Sequence, residues 1–275
     1  MFSIYILTYN EELDIAACIE SAMLSDDVIV VDSCSRDRTL EIASQYPVRV
    51  IEHPFESHGQ QRTWMLENIP AKYEWAYILE ADERMTPELF QECCEVIQSD
   101  QKVGYYAAER VMFMDRWIKH STQFPRYQLR LLQIGKVWFT DYGHTEREVC
   151  QGETSFLQAT YPHYTCGKGM SRWIEKHNRY STWEAMSELE DAQGEVKPKL
   201  FGKPIERRRW LKKFSRKLPM RPSLRFCYSY FLQKGFRDGY AGFMMCRLLG
   251  WYELISIAKR EDIKIKEKMG DQMPD

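Results

Sequence analysis

Acidic side chains directly follow two apolar segments of the chain. Residues 28–31 are a β-branched run that ends at Asp32, and the apolar residues 75–79 are followed by Glu80 and Asp82. Two carboxylates spaced two residues apart at a strand end project to the same side of the strand. Their oxygens are ligands that Mg²⁺ and Mn²⁺ accept, usually shared with substrate phosphates. The acids fit either a divalent-metal site or a solvated acidic turn before a helix, and their spacing alone favours the turn.

The first hundred residues alternate short apolar runs with amphipathic stretches. We expect strands at residues 3–7, 28–31, 48–51 and 75–79, and helices at residues 13–23, 38–46, 59–68 and from 87 onward. Thr86 is a favourable N-cap for the last helix. This alternation is typical of α/β proteins with a mainly parallel sheet flanked by helices. Ligands of such sheets bind beyond the carboxyl ends of the strands, where the acids lie.

The pattern changes beyond residue 104, where aromatic residues become frequent. We expect strands at residues 105–108, 127–132 and 137–139, a helix at 173–190, a linker at 194–206 and further helices over 207–260. The composition of the linker, with glycines and prolines among charges, indicates a domain boundary after residue 195.

Three of these segments together resemble the family 2 glycosyltransferases. Residues 6–12 read ILTYNEE, residues 30–39 read VVDSCSRDRT and residues 79–83 read LEADE, in the order and spacing of that family. Residues 176–185 read KHNRYSTWEA and are similar to the bacterial branch that builds lipopolysaccharide core and other surface polysaccharides.

The resemblance implies a GT-A-like catalytic domain over residues 1–195. Its nucleotide-sugar-binding half would be residues 1–103 and its acceptor half residues 104–195, with a helical tail at 196–275. The residues that the resemblance places near the nucleotide-sugar are Thr8, Asn10, Asp32, Ser33, Arg62 and Glu80.

The resemblance also implies the ligands of the metal. Asp82 corresponds to the usual direct ligand, and Glu80 stands where the family more often has an aspartate. His163 lies where this fold class often has a histidine near the metal, although a lone histidine among aromatic residues is also a common core residue. The implied cofactor is Mg²⁺ or Mn²⁺.

A general base must accept the proton of the acceptor hydroxyl in an inverting transfer. Residues 141–148 read DYGHTERE, and related enzymes have an acidic base at this point of the chain. Glu146 is our first candidate, followed by Glu148 and His144. The alternative is a charged loop that faces water.

Charge is segregated along the chain. Residues 1–195 carry 18 Lys and Arg against 32 Asp and Glu, a net charge of −14, whereas residues 196–226 carry 12 against one, a net charge of +11. Within residues 207–218 an apolar stripe on one helical face is formed by Trp210, Leu211, Phe214 and Leu218. A basic amphipathic helix of this type is typical of an anionic membrane interface.

The tail has two alternative interpretations. Its helices would pack on the catalytic domain, or the basic run would bind nucleic acid. We exclude nucleic acid because no recognition motif accompanies the run and the acidic body would repel a phosphate backbone. Eight irregularly spaced cysteines without a CxxC pair, and the lack of an export signal, predict reduced thiols in a cytosolic protein.

We therefore expect an inverting, metal-dependent glycosyltransferase. It would move a hexose from a nucleotide-sugar, with a UDP-sugar as first candidate, to a lipid-linked or lipopolysaccharide-type acceptor at the cytoplasmic face of the inner membrane. One alternative is a sugar-phosphate nucleotidyltransferase, although residues 8–12 lack the glycine-rich, basic loop that it needs. Another is a non-catalytic nucleotide-sugar-binding protein, suggested by Glu80 in place of aspartate.

Overall fold

The computed structural model describes residues 1–99, 102–122, 124–142, 145–190 and 220–270. The chain divides into two compact units. The first consists of Met1–Trp117 and Gln123–Lys168, and the second of Ile118–Thr122 and Gly169–Asp275. This division falls after Lys168, because the helix that begins at Gly169 packs on the C-terminal helix. The boundary predicted after residue 195 lies outside the described residues.

The first unit is built on a mixed sheet. Its strands are β1 (Ser3–Thr8), β2 (Val28–Asp32), β3 (Arg49–Glu52), β4 (Trp75–Glu80), β5 (Gly104–Phe113), β6 (Arg116–Trp117), β7 (Tyr127–Gln133) and β10 (Thr154–His163). The order is β10-β5-β7-β4-β1-β2-β3, with β6 paired to β5. β1 pairs in parallel with β2 and β4, and β2 pairs in parallel with β3. β5 and β10 are also parallel, whereas β7 is antiparallel to its neighbours β4 and β5. The expected mixed, mainly parallel sheet is confirmed.

Both faces of the central strands are covered, which explains why these strands are apolar along their whole length. Ile4 and Ile6 of β1 contribute to one core, and Tyr5 between them contributes to the core on the opposite face. In the strand register, Thr8 pairs with Asp32. The carboxyl ends of β1 and β2 therefore meet at one edge.

Four helices connect and cover these strands. They are α1 (Ile15–Ala22), α2 (Thr39–Ala43), α3 (His58–Asn68) and α4 (Pro87–Ser99). Thr86 Oγ1 accepts a hydrogen bond from the Leu89 N–H at 3.2 Å, so the predicted N-cap of α4 is confirmed. Ser57 caps α3 in the same way, through Gln60 at 3.2 Å.

A two-stranded hairpin lies against α3. Its strands are β8 (Val137–Tyr142) and β9 (Thr145–Cys150). The Thr63 hydroxyl donates to the Phe139 carbonyl and accepts from the Phe139 N–H, both at 2.8 Å. A Cβ on Gly59 would lie 2.8 Å from Asp141 Oδ1, so glycine permits this close approach. Glu146 and Glu148 thus lie on β9. The alternative interpretation of the sequence placed them in a charged loop that faces water.

The second unit is mainly helical over its described residues. Its elements are α5 (Gly169–Glu190), α6 (Arg221–Cys227), a π-helical turn (Tyr228–Leu232), a 3₁₀ turn (Gly235–Asp238) and α7 (Gly239–Met269). The Glu188 carboxylate on α5 binds Arg221 on α6 and Arg260 on α7, each at 2.9 Å. Because Glu188 is buried, this double ion pair joins the three helices.

Two predictions for the tail lie outside the described residues, namely the linker at 194–206 and the basic helix at 207–218. Within the part of the chain that the structure describes, no helix is both long and apolar enough to cross a membrane. All eight cysteines are free thiols in the structure.

Candidate active site

The loops that follow β1 and β2 are bonded to each other. Asn10 has a left-handed backbone with φ 52°, and its N–H donates to Ser35 Oγ at 2.8 Å. The buried Asp32 carboxylate accepts from the Ser35 N–H at 2.7 Å and from the Ser35 hydroxyl at 2.5 Å. The Ser33 N–H donates to the Thr8 carbonyl at 2.9 Å. Four of the residues expected near the nucleotide-sugar are therefore held together at one rim of the sheet.

Asp82 and His163 form a second cluster. β4 ends at Glu80, so Asp82 lies in the turn beyond the strand and the expected strand alternation does not extend to it. His163 is the last residue of β10, and its Nε2 lies 3.2 Å from Asp82 Oδ2. Its Nδ1 lies 2.9 Å from Glu109 Oε2. Glu109, on β5, also binds Arg126.

The surroundings of His163 favour positive charge. Burial on its own lowers the pKa of His163, but the hydrogen bonds to Asp82 and Glu109 raise that pKa well above its usual value. Glu109 keeps a lowered pKa despite its burial, because His163 and Arg126 stabilise its carboxylate. Two carboxylates therefore stabilise a positive charge at the imidazole, whether a proton on Nε2 or a cation bound in place of that proton carries it.

Arg62 on α3 joins two acidic candidates. Its Nη2 lies 2.8 Å from Glu80 Oε1, and its Nε lies 3.0 Å from Glu146 Oε1 on β9. The guanidinium also lies over the Phe139 ring, 5.5 Å from the centroid. Arg62 is 4% exposed, so its position is fixed by packing as well as by charge.

A fully buried arginine, Arg130, contacts the acidic residues at the end of β4. Arg130 on β7 binds Glu83 and lies 3.5 Å from Glu80 Oε1. Its Nε also donates to the Tyr161 hydroxyl of β10 at 3.3 Å. Burial raises the pKa of Glu83 to about 7, and the charge of Arg130 opposes that rise. Arg130 thus connects the end of β4 with β7 and β10.

An open cleft borders the other base candidate. It encloses about 390 Å³ and is lined by Tyr106, Glu146, Arg147, Glu148, Cys150, Gly152 and Thr154. Glu148 Oε1 accepts a hydrogen bond from the Tyr106 hydroxyl at 2.7 Å. Glu146 and Glu148 therefore face a common cleft, as the period of two along β9 requires. The third candidate, His144, lies outside the described residues.

The donor set at Asp82 and His163 fits a divalent cation. A carboxylate oxygen and an imidazole nitrogen lie side by side, and the second nitrogen is oriented by Glu109, which is the pattern that surrounds many metal-bound histidines. Among the described residues no group of three or more His, Cys, Asp and Glu could hold a metal by itself. Two protein ligands suffice for Mg²⁺ or Mn²⁺ when substrate phosphates complete the coordination. Glu80 contacts arginines instead, and its role as a ligand stays a prediction.

Several residues of this site were not found in the sequence. Glu109, Arg126 and Arg130 lie far along the chain from the residues they contact, and no local spacing connects them. Arg130 did leave a signal, because a charged residue inside the apolar strand 127–132 is rarely buried unless it is paired.

Comparison with known proteins identifies the family of the chain. Residues 3–161 match the model described as "Glycosyl transferase family 2", which is more than half of the chain. The chain belongs to this family and is a glycosyltransferase. That membership decides against a nucleotidyltransferase as the enzyme class.

Individual relatives are similar over nearly the whole chain. The "Lipopolysaccharide core biosynthesis glycosyltransferase LpsC" of Rhizobium meliloti is 25% identical over 282 residues, which cover 98% of this chain and 97% of that protein. An uncharacterized glycosyltransferase of Rickettsia typhi is 25% identical over 281 residues, covering 97% and 88%. The crystal structure of S. aureus TarS 1-349 in complex with UDP-GlcNAc has a TM-score of 0.48 and 14% identity, covering 99% of this chain and 93% of that one.

Proposed function

We propose that the protein transfers a hexose from a nucleotide-sugar, with UDP-sugar as first candidate, to a lipid-linked or lipopolysaccharide-type acceptor, in an inverting, metal-dependent reaction. The observation that carries this proposal is the juxtaposition of Asp82 and His163, with His163 oriented by Glu109 at the carboxyl end of the sheet. The acceptor class rests on the similarity to the lipopolysaccharide core relative.

The donor site is proposed to lie at the rim formed by Thr8, Asn10, Asp32 and Ser33. Its backbone is fixed by the hydrogen bonds between the two loops, so a nucleotide would meet a pre-formed surface. The Thr8 hydroxyl is buried without a hydrogen-bond partner among the described residues, which leaves it available to a ligand.

Asp82 and His163 are proposed to hold Mg²⁺ or Mn²⁺, with Glu80 nearby. When bound, the cation would neutralise the charge that develops on the leaving diphosphate. Glu109 keeps the His163 imidazole in position, and Arg126 keeps Glu109 charged.

Glu146 is proposed as the general base. An inverting transfer needs a carboxylate that accepts the acceptor's proton as the new bond forms. Arg62 holds one oxygen of Glu146 at 3.0 Å, while the other oxygen, Oε2, has no hydrogen-bond partner among the described residues. Glu148 is the second candidate, because it lines the same cleft.

A lipid-linked acceptor places the enzyme at a membrane surface. The segregated charge of residues 196–226, with 12 Lys and Arg against one acidic residue, supports peripheral attachment to anionic lipid. The proposed location is the cytoplasmic face of the inner membrane.

A thermal-shift screen tests the donor and metal assignments. Ligands that bind the native state raise its apparent stability by mass action. We expect UDP and UDP-hexoses to raise Tm in Mn²⁺ or Mg²⁺ and to do so much less in EDTA. Stabilisation by another nucleotide alone, or equal stabilisation in EDTA, would contradict this donor or this metal requirement.

A further inference from the structure

Exposed apolar side chains extend from the residue before α6 to the first turn of α7. These residues all expose at least 45% of their surface, and we call them the 220–240 surface: Met220, Leu224, Tyr228, Phe231, Leu232, Phe236 and Tyr240. Met220, Leu224, Tyr228 and Leu232 recur every four residues and therefore share one helical face. An exposed apolar face of this kind marks an interaction site.

A half-buried aromatic layer lies beneath the exposed side chains. The Phe226 and Tyr230 rings stack with centroids 5.3 Å apart, and Tyr230 packs edge-on against Phe243 at 5.7 Å. Phe231 also contacts Tyr230 edge-on, at 5.1 Å. The outer residues therefore rest on a packed layer that is already filled.

The backbone beneath this surface is rigidly held. The buried Asp238 carboxylate accepts from the N–H groups of His120 and Ser121, at 2.9 and 3.0 Å. A Cβ on Gly242 would lie 2.3 Å from the Gly235 carbonyl oxygen, so the 3₁₀ turn and α7 are in close contact. Between the π-helical and 3₁₀ turns, Lys234 takes a left-handed φ of 64°. This framework keeps Leu232 and Phe236 exposed.

Charge identifies the partner of the 220–240 surface. Between residues 220 and 252 the only acidic side chain is Asp238, which is buried, whereas the cations Lys234, Arg237 and Arg247 are exposed. Exposed aromatic and aliphatic side chains with exposed cations among them along the chain match the interface of an anionic bilayer, where rings lie at headgroup level and cations contact lipid phosphates.

We infer that the 220–240 surface inserts into the interface of an anionic membrane. This inference deepens the proposed function by naming a surface, on described residues, that contacts the lipid. The 220–240 surface shares no residue with the basic segment at 207–218. Insertion here depends on apolar burial, so salt weakens it less than it would weaken binding by cations alone.

The test uses the full chain and vesicles of phosphatidylcholine with and without phosphatidylglycerol. We expect co-sedimentation with the anionic vesicles, and a fall of about tenfold or more in partitioning for Phe231→Ser combined with Leu232→Ser, since two buried side chains are lost. The matched control is Ile265→Ser with Met269→Ser, which are equally exposed but lie on α7, where Ile265 is ~37 Å beyond Tyr240. The control should bind like the wild type.

A second readout reports insertion directly. The chain has eight native tryptophans, so the readout is the difference between the variant and wild-type emission spectra. In that difference the indole added in Leu232→Trp should shift to shorter wavelength on addition of anionic vesicles, whereas the indole added in Ile265→Trp should not. This variant keeps an apolar side chain, so it decides the question even if the serine pair fails to fold.

Several results would overturn the inference. They are equal vesicle binding by the serine pair, an unshifted Leu232→Trp emission on bound protein, or a wild-type dimer in solution that the serine pair dissociates, which would assign the surface to a second copy of the chain. Vesicle binding needs neither donor nor metal, so its failure leaves the thermal-shift result for the proposed function intact.

Discussion

Arg62 contacts two acids that the sequence assigned to different steps of the reaction. Glu80 belongs to the predicted metal segment and Glu146 is the first candidate base, yet one buried guanidinium binds both. The sequence placed Arg62 against the nucleotide. Its contacts give it a further task, which is to hold the carboxylate of Glu146 at the edge of the cleft.

Replacement of Glu146 by glutamine tests the base. The amide keeps the shape of the side chain but cannot accept a proton, so we expect the chemical step to slow by roughly 10²–10⁴ with donor affinity nearly unchanged. Single-turnover transfer rates and donor titrations measure the two quantities separately.

Glu148→Gln is the matched control for this substitution. It lies two residues along the same strand and lines the same cleft, but its Oε1 already accepts from Tyr106. We expect a much smaller loss of rate. If Glu148→Gln is the slow variant and Glu146→Gln is not, the base is Glu148.

The residues of the site were only partly predictable. Asp82 and His163 could be named because the acidic segment and the resemblance identified them. The sequence did not reveal that Glu109 orients His163, since 54 residues separate the two and only the parallel pairing of β5 with β10 brings them together.

Among the secondary-structure elements, β4, β7 and β10 are connected through Arg130. It lies on β7, binds the buried Glu83 after β4 and donates to Tyr161 on β10. Removal of one partner of a buried pair leaves the other charge uncompensated. We expect Arg130→Met to destabilise the protein by about 3–5 kcal/mol.

Urea unfolding measures this change in the free energy of unfolding. The control is Arg38→Met, because Arg38 and its partner Glu41 are both exposed and such pairs contribute little. An Arg130→Met variant as stable as the wild type would show that the buried pair does not hold the strands together.

Elements were predictable where burial dictates the sequence. The strands β1, β2 and β4 are continuous apolar runs and were each predicted to within one residue of their ends. β9 was missed, because its six residues read TEREVC and it is stabilised by pairing with β8 and not by a buried apolar face. β10 was missed because small and polar residues interrupt its pattern.

Across the whole molecule, basic residues are concentrated in one segment. Residues 196–226 have a net charge of +11, with 12 Lys and Arg against one acidic residue, and residues 1–195 have a net charge of −14, with 18 against 32. Exposed cations act within about 8 Å at physiological salt, so they matter only close to an anionic surface.

Neutralising this segment tests its contribution to membrane binding. The substitutions, all to glutamine, are at Arg207, Arg208, Arg209, Lys212 and Lys213. We expect weaker, less salt-sensitive binding to anionic vesicles and unchanged UDP-sugar binding. An unfolded variant, or a wild type that ignores anionic vesicles, would contradict membrane attachment through this segment.

The central claim is that Asp82 and a divalent metal are both needed for hexose transfer from a nucleotide-sugar. The most direct measurement is transfer of labelled hexose from UDP-hexose to a bacterial lipopolysaccharide or lipid-linked acceptor fraction, by wild type and Asp82→Ala, with Mn²⁺ or EDTA. We predict transfer only by the wild type with Mn²⁺, restored after EDTA by excess Mn²⁺, because the diphosphate otherwise loses its bridge to the protein. Equal transfer in EDTA, or full activity of Asp82→Ala, would contradict the claim.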